Sequence, residues 1–67
     1  LEYVHALRLE AAKHRLETTD EPIAKIAIEV GYEDATFFSR LFRRRVRLTP
    51  AEYRRRFGAV QRSLQRS

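Results

Sequence analysis

The sequence predicts an all-α fold: a long first helix, two short helices joined by a tight turn, and a short closing helix. Three features predict it. The chain has only two glycines and two prolines, and each falls between apolar-periodic segments. Those segments repeat their apolar residues at three- and four-residue spacing, the period of a helix face. Their boundaries carry residues suited to helix termini. A chain of 67 residues allows a single domain, and one this small buries only about 60% of the surface its unfolded form exposes. Without cysteine, its core must come from Leu, Ile, Val, Phe and Tyr packing alone.

The first segment, Leu1 to Thr18, contains no helix breaker and many strong helix formers. Val4, Leu7 and Ala11 form one apolar stripe on it, and Leu9, Ala12 and Leu16 form another. So wide an apolar arc suits a connecting helix gripped from two sides. In "TTDEP", Asp20 is placed to cap a second helix, Glu21 to complement its dipole, and Pro22 to occupy its first turn. That helix is expected from about Glu21 to Val30, burying Ile23, Ile26, Ala27 and Val30. Gly31 then supplies the left-handed residue that ends it, Tyr32 folds back over the junction, and Asp34 caps a third helix over 35–45. Two helices joined by so short a turn form a helix-turn-helix unit. "TPAE" is the last start signal, with Thr49 as N-cap, Pro50 in the first turn and Glu52 three residues after the cap. The closing helix is expected to reach Phe57, Gly58 to end it, and 59–67 to form a tail. The expected organisation is therefore a linker helix over 1–18, a helix-turn-helix unit with its closing helix over 19–58, and a tail over 59–67.

Charge is divided unevenly. The net charge is +5, yet residues 1–30 hold four basic groups against six acids, while the remainder holds ten arginines against three acids. That asymmetry points to an anionic partner for the C-terminal half, nucleic acid first and an anionic membrane surface second. No apolar run approaches the roughly 18 residues needed to span a bilayer, so no membrane span is expected. The absence of cysteine suits a reducing cytoplasm. Because the chain begins at Leu1 rather than Met, a longer parent chain is expected.

At about 100° per residue, Phe38, Leu41 and Phe42 share one face of the third helix and must point to the core. Thr36, Arg40, Arg43 and Arg47 lie together on the opposite side, with Ser39 at the edge. Small hydroxyls beside arginines match a helix in the DNA major groove. Arg40 could contact guanine O6 and N7 bidentately, Thr36 and Ser39 could hydrogen-bond base edges, and Ala35 would allow close approach or meet a thymine methyl. Arg43 and Arg44, a turn further on, suit phosphates. The competing interpretation is an ordinary solvated arginine face, or a protein-interaction module whose arginines meet an acidic partner such as RNA polymerase. A third assigns nonspecific polyanion or membrane-surface binding to Arg54–Arg56 and the tail.

The order "DEPIAKIAIEVGYEDATFFSRLFRRR…LTPAEYRR" resembles the C-terminal half of the DNA-binding domain of AraC/XylS-type bacterial transcription regulators, over about Tyr3 to Phe57. The resemblance implies a homeodomain-like helix-turn-helix fold with a linker helix before it and a closing helix after it. It also implies double-stranded DNA as partner, a cytoplasmic location, and a full-length protein with a first helix-turn-helix unit and a sensor domain. It places Ala35, Thr36, Ser39 and Arg40 at base-facing positions and Arg43 at a backbone-facing one. Family members usually have glycine where Arg47 stands. If the backbone there is left-handed, a non-glycine residue costs on the order of 1 kcal/mol; the alternatives are a remodelled turn or a phosphate bound by Arg47.

No catalytic residue, metal site or cofactor is expected. His5 and His14 sit about 13 Å apart along one helix with no further ligand nearby, and suit surface or half-buried positions. Glu10 with His14 and Lys13 with Glu17 have spacings for weak helical pairs. Ser39 has no general base at a plausible spacing. Phe37 suits either packing beneath the turn or contact with sugar-phosphate, while Tyr53 and Phe57 recur at the spacing of one buried helix face.

Overall fold

The structure, a computed structural model, describes residues 2–58 of the chain. All regular elements among them are helical: α1 (Glu2–Thr18), α2 (Ile23–Glu29), α3 (Ala35–Val46), α4 (Pro50–Tyr53), and a π-type turn over Arg54–Gly58. The tail expected over 59–67 lies outside the described residues. The core joins Leu9, Ala12 and Leu16 of α1 to Ile26 and Ala27 of α2, Tyr32 of the turn, Phe38 and Phe42 of α3, and Tyr53 of α4. Aromatic rings run through it, Tyr32 to Phe38 and Phe38 to Phe42 each at 5.7 Å, then Phe42 to Tyr53 at 5.6 Å. Each such pair contributes about 0.5–1.5 kcal/mol beyond its buried area.

Of the two apolar stripes on α1, only Leu9, Ala12 and Leu16 are covered; Val4, Leu7 and Ala11 are exposed among the described residues. The buried stripe is the one that meets α2, α4 and the final turn.

α2 starts later than the sequence suggests, at Ile23, and Asp20 is not its cap: Pro22 holds that position, with no side-chain capping bond. The cause is local, because a residue preceding proline is driven out of the helical region, which excludes Glu21. The Pro22 carbonyl instead accepts from Lys25 and Ile26 at 3.0 and 3.1 Å. Glu21 takes another role, receiving a two-pronged hydrogen bond from the Arg15 guanidinium at 2.9 and 2.7 Å. Arg15 also pairs with Glu29, so one arginine of α1 holds the segment leading into α2 and the last residue of that helix. Val30 is half-buried, and ends the helix rather than belonging to it.

The α2–α3 junction follows the expected chemistry. Gly31 has φ +114°, its N–H bonds to Ile28 O at 3.1 Å, and Tyr32 N–H bonds to Ala27 O at 2.9 Å. These two bonds make a Schellman C-cap. Asp34 then caps α3 by accepting from Thr36 N–H at 2.8 Å. The far end of α3 closes on Arg47, at φ 73° and ψ 11°, whose N–H bonds to Arg43 O. The backbone is therefore left-handed at a non-glycine residue, and the turn has not been remodelled.

Thr49 and Glu52 form the full capping box of α4, with bonds of 2.9 and 3.1 Å. After Tyr53 the helix widens into the π-type turn, which moves the residue four positions on off the shared face. Phe57 is consequently 40% exposed, packing against the Tyr53 ring from outside rather than joining the core. Gly58 is buried where the chain passes the end of α1: a Cβ there would lie 3.2 Å from Leu16 O. A side chain there would have to displace that backbone by a few tenths of an ångström, so close approach, rather than a left-handed backbone, is what favours glycine at this position.

Candidate nucleic-acid interface

Tyr32 secures the turn that presents α3. Its hydroxyl lies 2.7 Å from His5 Nδ1, the two rings are nearly parallel at 5.7 Å, and the Arg8 guanidinium lies 5.3 Å from the Tyr32 ring centroid. The turn is thereby bound to the first half of α1. With Phe38 and Phe42 fully buried beneath it, α3 has little freedom to rotate about its axis.

The outer face that results carries Thr36, Arg40, Arg43, Arg44 and Arg47, all exposed, with Ala35 and Ser39 half-buried at its margin. Ala35 also packs in part against the core. The four arginines line one open groove of about 720 Å³. None of them forms an ion pair among the described residues, whereas other arginines in the chain do. Four guanidinium groups without an ion pair on one surface, Arg43 acting only at longer range on the Glu52 carboxylate, raise the local positive potential and favour an anion that can touch several of them.

The arginine run of α3 divides by direction. Arg45 lies about 140° around the helix from Arg40, reaches α1 and pairs with Glu2 at 2.5 Å. That hydrogen bond and its charge hold the Glu2 carboxyl below its ordinary value and raise Arg45 above its own. Arg45 thus pairs α3 with α1, while Arg43 and Arg44 face solvent. Arg54 is likewise occupied, donating to Glu21 O at 2.6 Å, which leaves Arg55 and Arg56 as the exposed arginines of the final turn. The Arg54–Arg56 cluster therefore does not present three free cations.

Arg47 and Phe37 complete this face. Arg47 joins the groove from the C-terminal end, a position its helical angle already indicated. Phe37 is 52% exposed beside Thr36, with its inner edge against Tyr32 at 5.9 Å. Other pairings differ from expectation. Lys13 pairs with Glu10 at 3.0 Å, not with Glu17, because Glu17 accepts a hydrogen bond from the Tyr53 hydroxyl. His14 is exposed and His5 is half-buried against Tyr32. Among the described residues no group of three or more His, Cys, Asp or Glu side chains could hold a metal ion, and no helix is long and apolar enough to cross a membrane.

A family model described as a helix-turn-helix domain matches residues 1–56 of the chain. The HTH-type transcriptional activator RhaR of Mannheimia succiniciproducens is 45% identical over 56 residues, 84% of this chain and 20% of that protein. The regulatory protein SoxS of Salmonella typhimurium is 46% identical over 55 residues, 82% of this chain and 51% of that protein. The raffinose operon transcriptional regulatory protein RafR of Pediococcus pentosaceus is 44% identical over 52 residues, 78% of this chain and 19% of that protein. The chain thus spans about half the length, or less, of these curated relatives. No solved structure matches it.

Proposed function

This chain belongs to the AraC-type helix-turn-helix family of transcription regulators, and from that premise we propose that it reads duplex DNA with α3 in the major groove. Ala35, Thr36, Ser39 and Arg40 face base edges, and Arg43 and Arg44 hold phosphates on the groove walls. The observation that supports this most directly is the groove of unpaired arginines on a helix whose opposite face is locked into the core. In the proposed setting α1 links this unit to a first helix-turn-helix unit and a sensor domain in a longer cytoplasmic regulator. The chain's role there is binding rather than catalysis.

Fluorescence-anisotropy titration with random-sequence duplex DNA across a salt series tests the proposal. Binding is expected to weaken with salt along a log-log slope of about 0.9 per phosphate contacted, with a total equivalent to several phosphates. Absence of binding at low salt overturns it.

A second reading has one observation in its favour, the exposed Phe37 beside the arginines. It makes the face a docking surface for an acidic protein such as RNA polymerase. Retention of regulatory function after replacing Thr36, Ser39 and Arg40 together would favour that reading.

A further inference from the structure

Resting on the DNA-binding reading, we infer that Arg47 is a phosphate-anchoring residue, held in a strained backbone conformation because its guanidinium completes the arginine groove at the C-terminal end of α3. Among the described residues it is the only non-glycine residue with positive φ, at 73°. Its N–H closes the helix by bonding to Arg43 O at 2.8 Å. Glycine would make that same bond without the Cβ conflict of a left-handed backbone. The arginine side chain is therefore unnecessary for capping the helix.

Nor does a local partner explain it. Its side chain forms no hydrogen bond or ion pair among the described residues, in contrast to Arg45 two positions earlier, which is committed to Glu2. Complementing the helix dipole is an insufficient reason too, since the last turn already carries Arg43, Arg44 and Arg45. What remains is the groove, which Arg47 shares with Arg40, Arg43 and Arg44. A strained residue that its own fold does not require is a sound starting point for a functional assignment.

Geometry identifies the part of the ligand it meets. Arg47 follows Arg40 by seven residues, two helical turns, or about 10 Å along the axis. The major groove is about 12 Å wide and a recognition helix places its N-terminal residues against base edges. With Arg40 at the groove floor, the end of α3 stands at the groove wall, where phosphodiesters run. Arg47 consequently adds affinity without adding sequence discrimination.

The test measures duplex binding of the 67-residue chain and of Arg47→Gly and Arg47→Lys, each across a salt series on random-sequence duplexes, with thermal denaturation of all three. Arg47→Gly is expected to reduce the log-log salt slope by about 0.9, and to weaken binding about eightfold at 0.1 M salt, the contribution of one phosphate contact. Its melting temperature is expected to equal or exceed that of the parent. Arg47→Lys, which keeps both charge and strain, is expected to keep the parent's slope. A parent that binds duplex DNA while Arg47→Gly shows the same slope and affinity overturns this inference alone. A parent that binds no duplex overturns the DNA-binding reading along with it.

Discussion

The Tyr53 hydroxyl donates a hydrogen bond to the Glu17 carboxylate, joining the closing helix to the last turn of α1. Burial first, and the hydrogen bond to Glu17 second, push the Tyr53 hydroxyl well above its ordinary pKa, so it remains a protonated donor throughout the usual pH range. Replacing Tyr53 by Phe keeps the ring in its edge contact with Phe42 but removes the donor to a charged acceptor. The expected loss is about 1–2 kcal/mol of unfolding free energy, measured by urea denaturation. A change below a few tenths would show that water replaces the bond at no cost.

Gly31 separates two effects that usually occur together. An added Cβ there would meet Arg8 Nε at 2.8 Å, and the backbone has φ +114°. The arginine is long enough to move aside, whereas the backbone is fixed by its two cap hydrogen bonds. Gly31→Ala is therefore expected to destabilise the fold by about 1–3 kcal/mol. Combining it with Arg8→Ala is expected to recover little of that loss. Full recovery in a double-mutant cycle would mean that the side-chain clash, not the backbone, sets the cost.

Three carboxylates give the fold an acid-sensitive limb. Glu21 is held below the ordinary value of 4.5 by hydrogen bonds from Arg15, Glu52 by the Thr49 N–H, and Glu2 by Arg45. A carboxylate with a lower pKa in the folded state binds fewer protons there than in the unfolded chain. Its stabilisation is thus complete above about pH 4.5 and is lost as the pH falls through each depressed value. Glu21→Gln is expected to flatten stability against pH below 4.5 and to leave its shape near neutrality unchanged. Thermal melts from pH 2 to 7 measure this directly.

The two stripes of α1 are expected to respond differently to substitution. Leu16 is fully buried while Leu7 is 53% exposed. Leu16→Ala should cost about 2–5 kcal/mol through lost contacts and a cavity. Leu7→Ser should stay within about 0.5 kcal/mol. Similar losses at both sites, in denaturant titrations of the chain, would show that the Leu7 stripe is also covered in solution.

On DNA, Arg40 and Arg43 are expected to separate by kind of effect. Arg40→Ala should lower affinity for a cognate site by about 1–3 kcal/mol relative to scrambled duplex. Arg43→Ala should weaken binding to both alike and reduce the salt slope by about one phosphate's worth. Selection of a cognate site from a random library, followed by titration, supplies the comparison. Equal losses on cognate and scrambled DNA for both variants would remove the base-reading role of Arg40.

Much of this arrangement is local, and so could be derived from residue order. The capping box of Thr49 and Glu52, the Asp34 cap, the Gly31 C-cap and the inward face of α3 each depend on residues within four positions of one another. The left-handed backbone at Arg47 is not among them: an arginine does not signal it, and the resemblance to relatives with glycine there leaves it open beside a remodelled turn or a bound phosphate, until the structure gives φ 73°. Where local rules competed, order alone misled: Asp20 and Glu21 looked like the start of α2, but proline restricts the residue before it and the start moved to Ile23.

The tertiary structure decided the rest, because it sets which side chains meet across long sequence separations. Arg45 and Glu2 lie 43 positions apart, and Tyr53 and Glu17 lie 36 apart. Only their contact distinguishes a fastening arginine from a solvent-facing one, or assigns Glu17 to a tyrosine rather than to Lys13. The same holds for Phe57, which the widened final turn carries outward, and for Gly58, where the Leu16 carbonyl passing beside it leaves little room for a side chain. Helical period and capping chemistry are properties of neighbours in the chain, whereas the choice among equally spaced charged partners depends on distances that exist only once α1 packs across the other helices.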